Sequence, residues 1–266
     1  MESKDISSEK KLNKLHQGQW LISTIANNAP ETAIKYGLGL EITDFAVAAI
    51  LDKDLSDKIC QFQEILTKIN CPSILHATYM EITPAAIDPA VLRLTYSRYL
   101  QAYQIARKLG INRIVYHTGY TPQIYHRCWM KERAIEFWLD FIDQLAPDVE
   151  ILWENVLEQD PYLQLEICQA INDSRFRACL DLGHANSVNS SYSLTEWISA
   201  LAPCLSHVHL HDNNGLQDSH LDLGKGSIDL EAILDHLFSL CPGISVTLEV
   251  PEPELSLRWL GDAGYI

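Results

Sequence analysis

Eight short apolar runs recur along the chain, separated by longer stretches with helical spacing. They are Trp20–Ile25, Leu38–Ile42, Ser73–His76, Arg113–His117, Glu150–Glu154, Arg177–Asp181, Leu205–Leu210 and Ser245–Glu249. Polar and apolar residues alternate little within them, which is the pattern of strands covered on both faces. In Pro89–Leu109, Leu92, Tyr96, Tyr99, Leu100, Tyr103 and Ala106 recur every three or four positions. That stretch stops at Gly110, where a helix end calls for a residue that tolerates positive φ. Lys131–Leu145 and Leu230–Leu240 read the same way, and Pro161 is expected just inside the start of a further helix, where its missing N–H costs nothing. Eight strand–helix units in 266 residues predict an α/β chain of the (β/α)8 barrel type. We expect one domain over residues 20–266 behind a polar lead-in of residues 1–19. A doubly wound open sheet is the alternative, but no G-x-G-x-x-G follows the first run to support its dinucleotide-binding version.

Charge and cysteine usage narrow the function. Lys and Arg total 20 against 35 Asp and Glu, for a net charge of −15. A field of that sign repels phosphate backbones and anionic lipids, so nucleic acid is a disfavoured partner. The seven cysteines are odd in number and scattered, with no CxxC, which argues for a reducing compartment rather than a disulfide framework. No apolar run approaches the ~20 residues that span a bilayer. Met1–Lys14 is polar and mixed in charge, unlike a signal or transit peptide. The expectation is a cytoplasmic protein with no membrane partner, with homo-oligomer formation left open.

Six of the eight runs end, at or within one residue, in a side chain that can bind metal: His76, His117, Glu154, Asp181, His209 and Glu249. In a parallel barrel all strand C-termini meet at one mouth, so these six converge. One such histidine alone is more often a hydrogen-bonded strand-end residue; six at equivalent positions point to a site. Buried carboxylates brought together without a cation would repel, and a divalent ion removes that cost. Histidine with carboxylate suits Zn, Mn, Fe or Co. Two loops add further candidates: His184 in Asp181-Leu-Gly-His184, and the pair Asp218-Ser-His220. Gly224 and Gly226 would let the backbone approach a ligand closely. The loop Tyr120–Trp129 either covers the pocket or packs over the barrel rim.

The segments His76–Tyr79 (HATY), Glu154–Val156 (ENV), Asp181–Asn186 (DLGHAN), the stretch from His207 to Asp229 and Leu248–Pro253 (LEVPEP), with His117, form an ordered set. Together they resemble the xylose isomerase-like TIM-barrel superfamily, which includes sugar isomerases and epimerases and the endonuclease IV type of abasic-site nuclease. The resemblance implies a ligand set of Glu154, Asp181, His209 and Glu249, as in the epimerases. It also implies the trinuclear set of the nuclease branch, which adds His76, His117, His184, Asp218 and His220. Glu154 and Glu249 would move protons, and Tyr79, Trp129 and Lys225 would contact substrate. The first two strands do not resemble the nuclease's DNA-contacting loops. The arginine found after the seventh-strand histidine in many epimerases is replaced here by His211, Asp212, Asn213 and Asn214. The expectation is a divalent-metal-dependent isomerase or epimerase of a small sugar or sugar phosphate. An abasic-site phosphodiesterase with a multinuclear metal site is the alternative.

Overall fold

In the computed structural model, which describes residues 18–266, eight parallel strands close into a barrel in chain order. They are β1 (Gln19–Ser23), β2 (Gly39–Ile42), β3 (Ile74–His76), β4 (Arg113–His117), β5 (Glu150–Glu154), β6 (Phe176–Asp181), β7 (Leu205–Leu210) and β8 (Ser245–Leu248). Helices α1 (Ala29–Tyr36), α2 (Ala48–Leu51), α3 (Ser56–Leu66), α4 (Pro89–Leu109) and α5 (Arg127–Ile142) cover the first half. The second half is covered by α6 (Tyr162–Ile171), α7 (Leu182–Ser187), α8 (Leu194–Leu201), α9 (Leu230–Leu240) and α10 (Pro253–Ala263). The (β/α)8 architecture read from the sequence is the one observed. Residues 1–17 of the predicted lead-in lie outside the described residues. No helix among the described residues is long and apolar enough to cross a membrane, and all seven cysteines are free thiols.

Local chemistry sets the element ends. Helix α4 starts where Asp88 accepts the Ala90 N–H at 2.7 Å and ends at Gly110, with φ +71°. Strand β1 stops two residues short of the predicted Ile25, because the chain turns back with Ala26 N–H bonded to Ser23 O. Helix α5 begins one turn earlier than Lys131, after extended His126. Pro161 is the residue before α6 rather than inside it, and Asp160 Oδ1 accepts the Tyr162 N–H at 2.9 Å.

The main core lies between the outer face of the barrel and the helices. Its aromatic centre packs Tyr99, Tyr116, Phe137, Trp138 and Phe141, with Tyr99 stacked on Trp138 at 5.5 Å. The barrel interior is built differently. Inward side chains step by two along each strand, so they form layers across the barrel. A small apolar cluster of Leu21, Ile74, Val115, Leu152 and Cys179 fills one side of the middle layer. The strands β2, β7 and β8 instead supply Glu41, His207 and Thr247 there, all fully buried. One step further along, β3–β7 and the residue after β8 present His76, His117, Glu154, Asp181, His209 and Glu249 at the mouth.

Candidate metal centre

Three groups of side chains meet at the mouth and share members. His76 Nε2, His117 Nε2 and Glu154 Oε2 form a triangle with sides of 3.2 Å between the histidines, 3.3 Å from His76 to Glu154 and 3.1 Å from His117 to Glu154. Next to it, His209 Nδ1 lies 3.1 Å from Glu154 Oε1, 3.7 Å from Glu249 Oε2 and 3.8 Å from Asp181 Oδ2. In the third group, Asp218 Oδ2 is 3.3 Å from His184 Nε2 and 3.2 Å from His220 Nε2. All nine candidate ligands are thus brought together, with Glu154 common to the first two groups.

The loops that complete the site have identifiable supports. Asp181 caps α7: its Oδ1 accepts the His184 N–H at 2.6 Å, so the D-x-x-H spacing turns His184 back over the mouth. Gly183 between them is obligatory in space, since a Cβ there would collide with the His211 ring. His211 in turn stacks on His220 at 3.8 Å. The β7–α9 loop is organised by Asp212, whose carboxylate accepts the N–H groups of Asn213, Gly224, Gly226 and Ile228 at 2.8–3.2 Å. Gly224 and Gly226 therefore close on this internal carboxylate, rather than on a ligand as their sequence suggested.

The histidine hydrogen bonds test whether these residues fit a metal ion. His76 Nδ1 is 2.8 Å from Ala77 O, His184 Nδ1 is 2.9 Å from Asn155 O and His220 Nδ1 is 2.9 Å from Glu249 O. A carbonyl only accepts, so each Nδ1 carries its proton and, in a neutral ring, each Nε2 aims a lone pair at the carboxylates. For His209 the nitrogens exchange roles: Nε2 is 3.0 Å from Glu41 Oε1 and Nδ1 faces the acids. Glu154 Oε2 and Asp181 Oδ2 are buried and accept no hydrogen bond among the described residues. Lone pairs facing carboxylates call for a cation between them. The 3.1–3.3 Å sides of the first triangle are close to the ~3.3 Å edge of a tetrahedron with metal–ligand bonds of ~2.0–2.1 Å. The donor set fits a divalent ion of the Zn, Mn, Fe or Co kind.

In the metal-free protein the charges balance internally. Burial opposes ionisation of Asp181, but His184 and His211 outweigh it and bring its pKa down to about 2. Burial likewise opposes a charge on His184, yet Asp181 and Asp218 raise it well above its ordinary value. Glu249 goes the other way: burial raises it, Glu41, Glu154 and Asp181 add to that, and His209 offsets only part.

Beneath the centre runs a polar column that the sequence reading did not assign. Arg113 donates to Glu150 Oε2 at 2.7 Å and to Ser245 Oγ at 2.8 Å near the floor of the barrel. Ser245 Oγ is 2.7 Å from His207 Nδ1, and His207 Nε2 is 3.2 Å from Glu41 Oε2. Thr247 donates to Glu41 at 2.6 Å, and Glu41 holds His209. Burial keeps His207 neutral, its pKa down at about 4 despite the opposing pull of Glu41. The available signal was period two: His207 lies two residues before His209 and so faces the same interior.

A cavity of 370 Å³ opens over the centre, lined by Tyr79 and by His76, His117, Glu154, His184, Asp218, His220 and Glu249 among others. Tyr79 stacks on His117 at 4.3 Å. Trp129 and Lys225 are not among the lining residues. Trp129 sits in the first turn of α5 with its Nε1 donating to Ala85 O at 2.9 Å, and Lys225 lies in the loop closed on Asp212.

Comparison with known proteins places the chain. It is 29% identical over 183 residues to Uncharacterized protein MJ1311 of Methanocaldococcus jannaschii, a match covering 65% of this chain and 62% of that one. The chain spans about three fifths of the length of the curated relatives it matches. Among solved structures it shares its fold with a D-tagatose 3-epimerase-like protein, at TM-score 0.77 and 20% identity, covering 92% of this chain and 96% of that one. It likewise shares the fold of the IOLI protein with a binding zinc atom, at TM-score 0.73 and 18% identity, covering 92% and 94%. The model of the xylose isomerase-like TIM barrel family matches residues 38–263, and the chain belongs to that family.

Proposed function

We propose that the protein is a divalent-metal-dependent isomerase or epimerase of a small sugar, moving a proton on the carbon next to a carbonyl. The observation that carries this reading is the set of Glu154, Asp181, His209 and Glu249 around His209 Nδ1, under a cavity that carries no Lys or Arg. These four residues would hold the ion. A bound divalent ion supplies the positive charge that polarises a substrate carbonyl and acidifies the neighbouring C–H. Glu249 and Glu154 flank His209 as the proton-transfer pair. Glu154 has ring nitrogens of His76, His117 and His209 within 3.1–3.3 Å, whereas among the described residues the ring nitrogens nearest the Glu249 carboxylate, on His209 and His220, are 3.7 and 3.9 Å away. Glu249 is therefore the freer carboxylate, which suits a group that takes up and returns a proton. Tyr79 closes one wall of the cavity over His117 and orients substrate oxygens. The D-tagatose 3-epimerase-like neighbour and the zinc of the IOLI structure support this choice among the chemistries the fold hosts.

The test is metal-dependent exchange of a substrate C–H proton with solvent, measured by NMR over a panel of ketoses and aldoses. Exchange for at least one sugar, lost in Glu249→Gln, is expected. A second reading, phosphodiester hydrolysis by a multinuclear cluster, is favoured by the way Glu154 and His184 link neighbouring groups of the nine candidate ligands. It predicts metal-dependent incision of duplex DNA carrying an abasic site. The lack of Lys and Arg in the mouth cavity weighs against it, since phosphate contacts dominate nucleic-acid affinity. Robust incision, with no sugar showing exchange, would reverse the ranking.

A further inference from the structure

The mouth cavity does not end at the metal centre. A second cavity of 330 Å³ shares Val156, His184 and Asp218 with it, so the centre sits at the junction of two arms. Each arm alone reaches the lower end of the ~300–1,000 Å³ range of drug-sized ligand pockets. The second arm is walled by Pro122, Val156, Leu157, Val188 and Leu216, and its remaining polar residues include three glutamines, Gln123, Gln159 and Gln217. Leu216 is 84% exposed and Leu157 43% exposed, an unusual allowance for leucines beside a polar centre. Neither arm carries a Lys or Arg, and the histidines that line them, His76, His117, His184 and His220, belong to the metal centre, which leaves no separate cation for a phosphate on the substrate.

From this juxtaposition we propose that the substrate is an uncharged sugar bearing an apolar substituent, with the sugar at the metal centre and the substituent lying along the Leu157–Leu216 arm. The inference rests on the sugar isomerase reading and names its substrate class. His184 and Asp218 line both cavities, so a substituent carried past these two side chains from the centre meets the apolar wall. The substituent is attached away from the reacting carbonyl, which stays with Glu154 and Glu249.

The test is isothermal titration of the zinc-loaded protein with the 6-O-methyl and 6-O-hexyl ethers of D-fructose, D-tagatose and D-psicose, whose carbonyl carbon carries no substituent, and with fructose 6-phosphate. For each ketose that binds, the hexyl ether is expected to bind about tenfold tighter than the methyl one, the effect of burying two methylenes or so. The double variant Leu157→Ser, Leu216→Ser should bring that ratio to about one. Equal affinities within each pair in the parent protein, or an advantage that survives the double substitution, would reject the apolar arm and leave the isomerase reading standing. Tighter binding of fructose 6-phosphate than of any ether would overturn the uncharged class. Failure of every sugar to bind would reject this inference and the isomerase reading together.

Discussion

Glu41 offers a lever on the candidate metal centre from outside the nine candidate ligands. It is fully buried, and its Oε2 accepts from Thr247 at 2.6 Å and from His209 Nε2 at 3.2 Å. That bond fixes the proton on Nε2 and leaves Nδ1 to face Glu154, Asp181 and Glu249. In Glu41→Gln an amide oxygen can still accept from His209, but the charge is gone. A hydrogen bond to a charged group contributes ~1.5–3 kcal/mol against ~0.5–1.5 for a neutral one, so the exchange costs roughly 1–2 kcal/mol at His209. At ~1.4 kcal/mol per decade this is about five- to thirtyfold in metal affinity. Outer-shell partners of metal-bound histidines typically account for ~10–100-fold, so about tenfold or more is expected. The assay is zinc titration of metal-free protein in competition with a chromophoric chelator, with thermal unfolding of the metal-free form as a check on folding. A Glu41→Gln protein that folds normally and binds zinc as tightly as the parent would refute the reasoning.

Other outcomes follow from the same geometry. Crystals grown with excess zinc should show two or three anomalous peaks in one cluster, and His117→Ala should lose the peak nearest His76; a single peak in the parent would remove the multinuclear site. Burial opposes a charge on His220, but Asp218, Glu249 and Asp181 raise its pKa to about 9. Its contribution to metal-free stability is thus full below ~6.5 and lost as pH rises through about 9. Zinc binding instead strengthens as ligand protons leave, so the zinc-induced rise in Tm should grow over that window, and a flat difference would contradict the assignment. Asp212→Ala leaves four backbone N–H groups without their charged acceptor and should cost about 2–4 kcal/mol in denaturant unfolding; a loss under about 0.5 kcal/mol would mean that the loop is held by something else.

The barrel and the meeting of six candidate ligands were legible because topology turns position into proximity: a residue at the end of any parallel strand arrives at the same mouth. His184 was legible through its spacing from Asp181, although the reason for the spacing, a helix cap, appears only in three dimensions. Glu41 and His207 were harder to read. They lie one layer deeper, and a lone Glu in Gly39–Ile42 looks like any polar interruption of a strand. Their role depends on β2, β7 and β8 meeting inside the barrel, a contact between residues more than 160 positions apart. Trp129 and Lys225 are expected as substrate contacts from the loops in which they sit. Neither lies at a strand end, so nothing in the topology fixes its direction, and the side chain of Trp129 is committed to Ala85 O instead.

The polar column inside the barrel has a consequence for how such a site can be altered. Changes to a catalytic centre usually start at the mouth loops, where every substitution also touches substrate. Here the far end of the barrel is wired to the same histidine. Replacing Arg113 or Ser245 would shift His207, and through Glu41 the basicity of His209, while each loop that meets substrate stays as it was. The floor of the barrel is thus a place from which the basicity of His209, and with it the grip of the candidate centre on a metal, could be retuned independently of the mouth loops, by selection or by design.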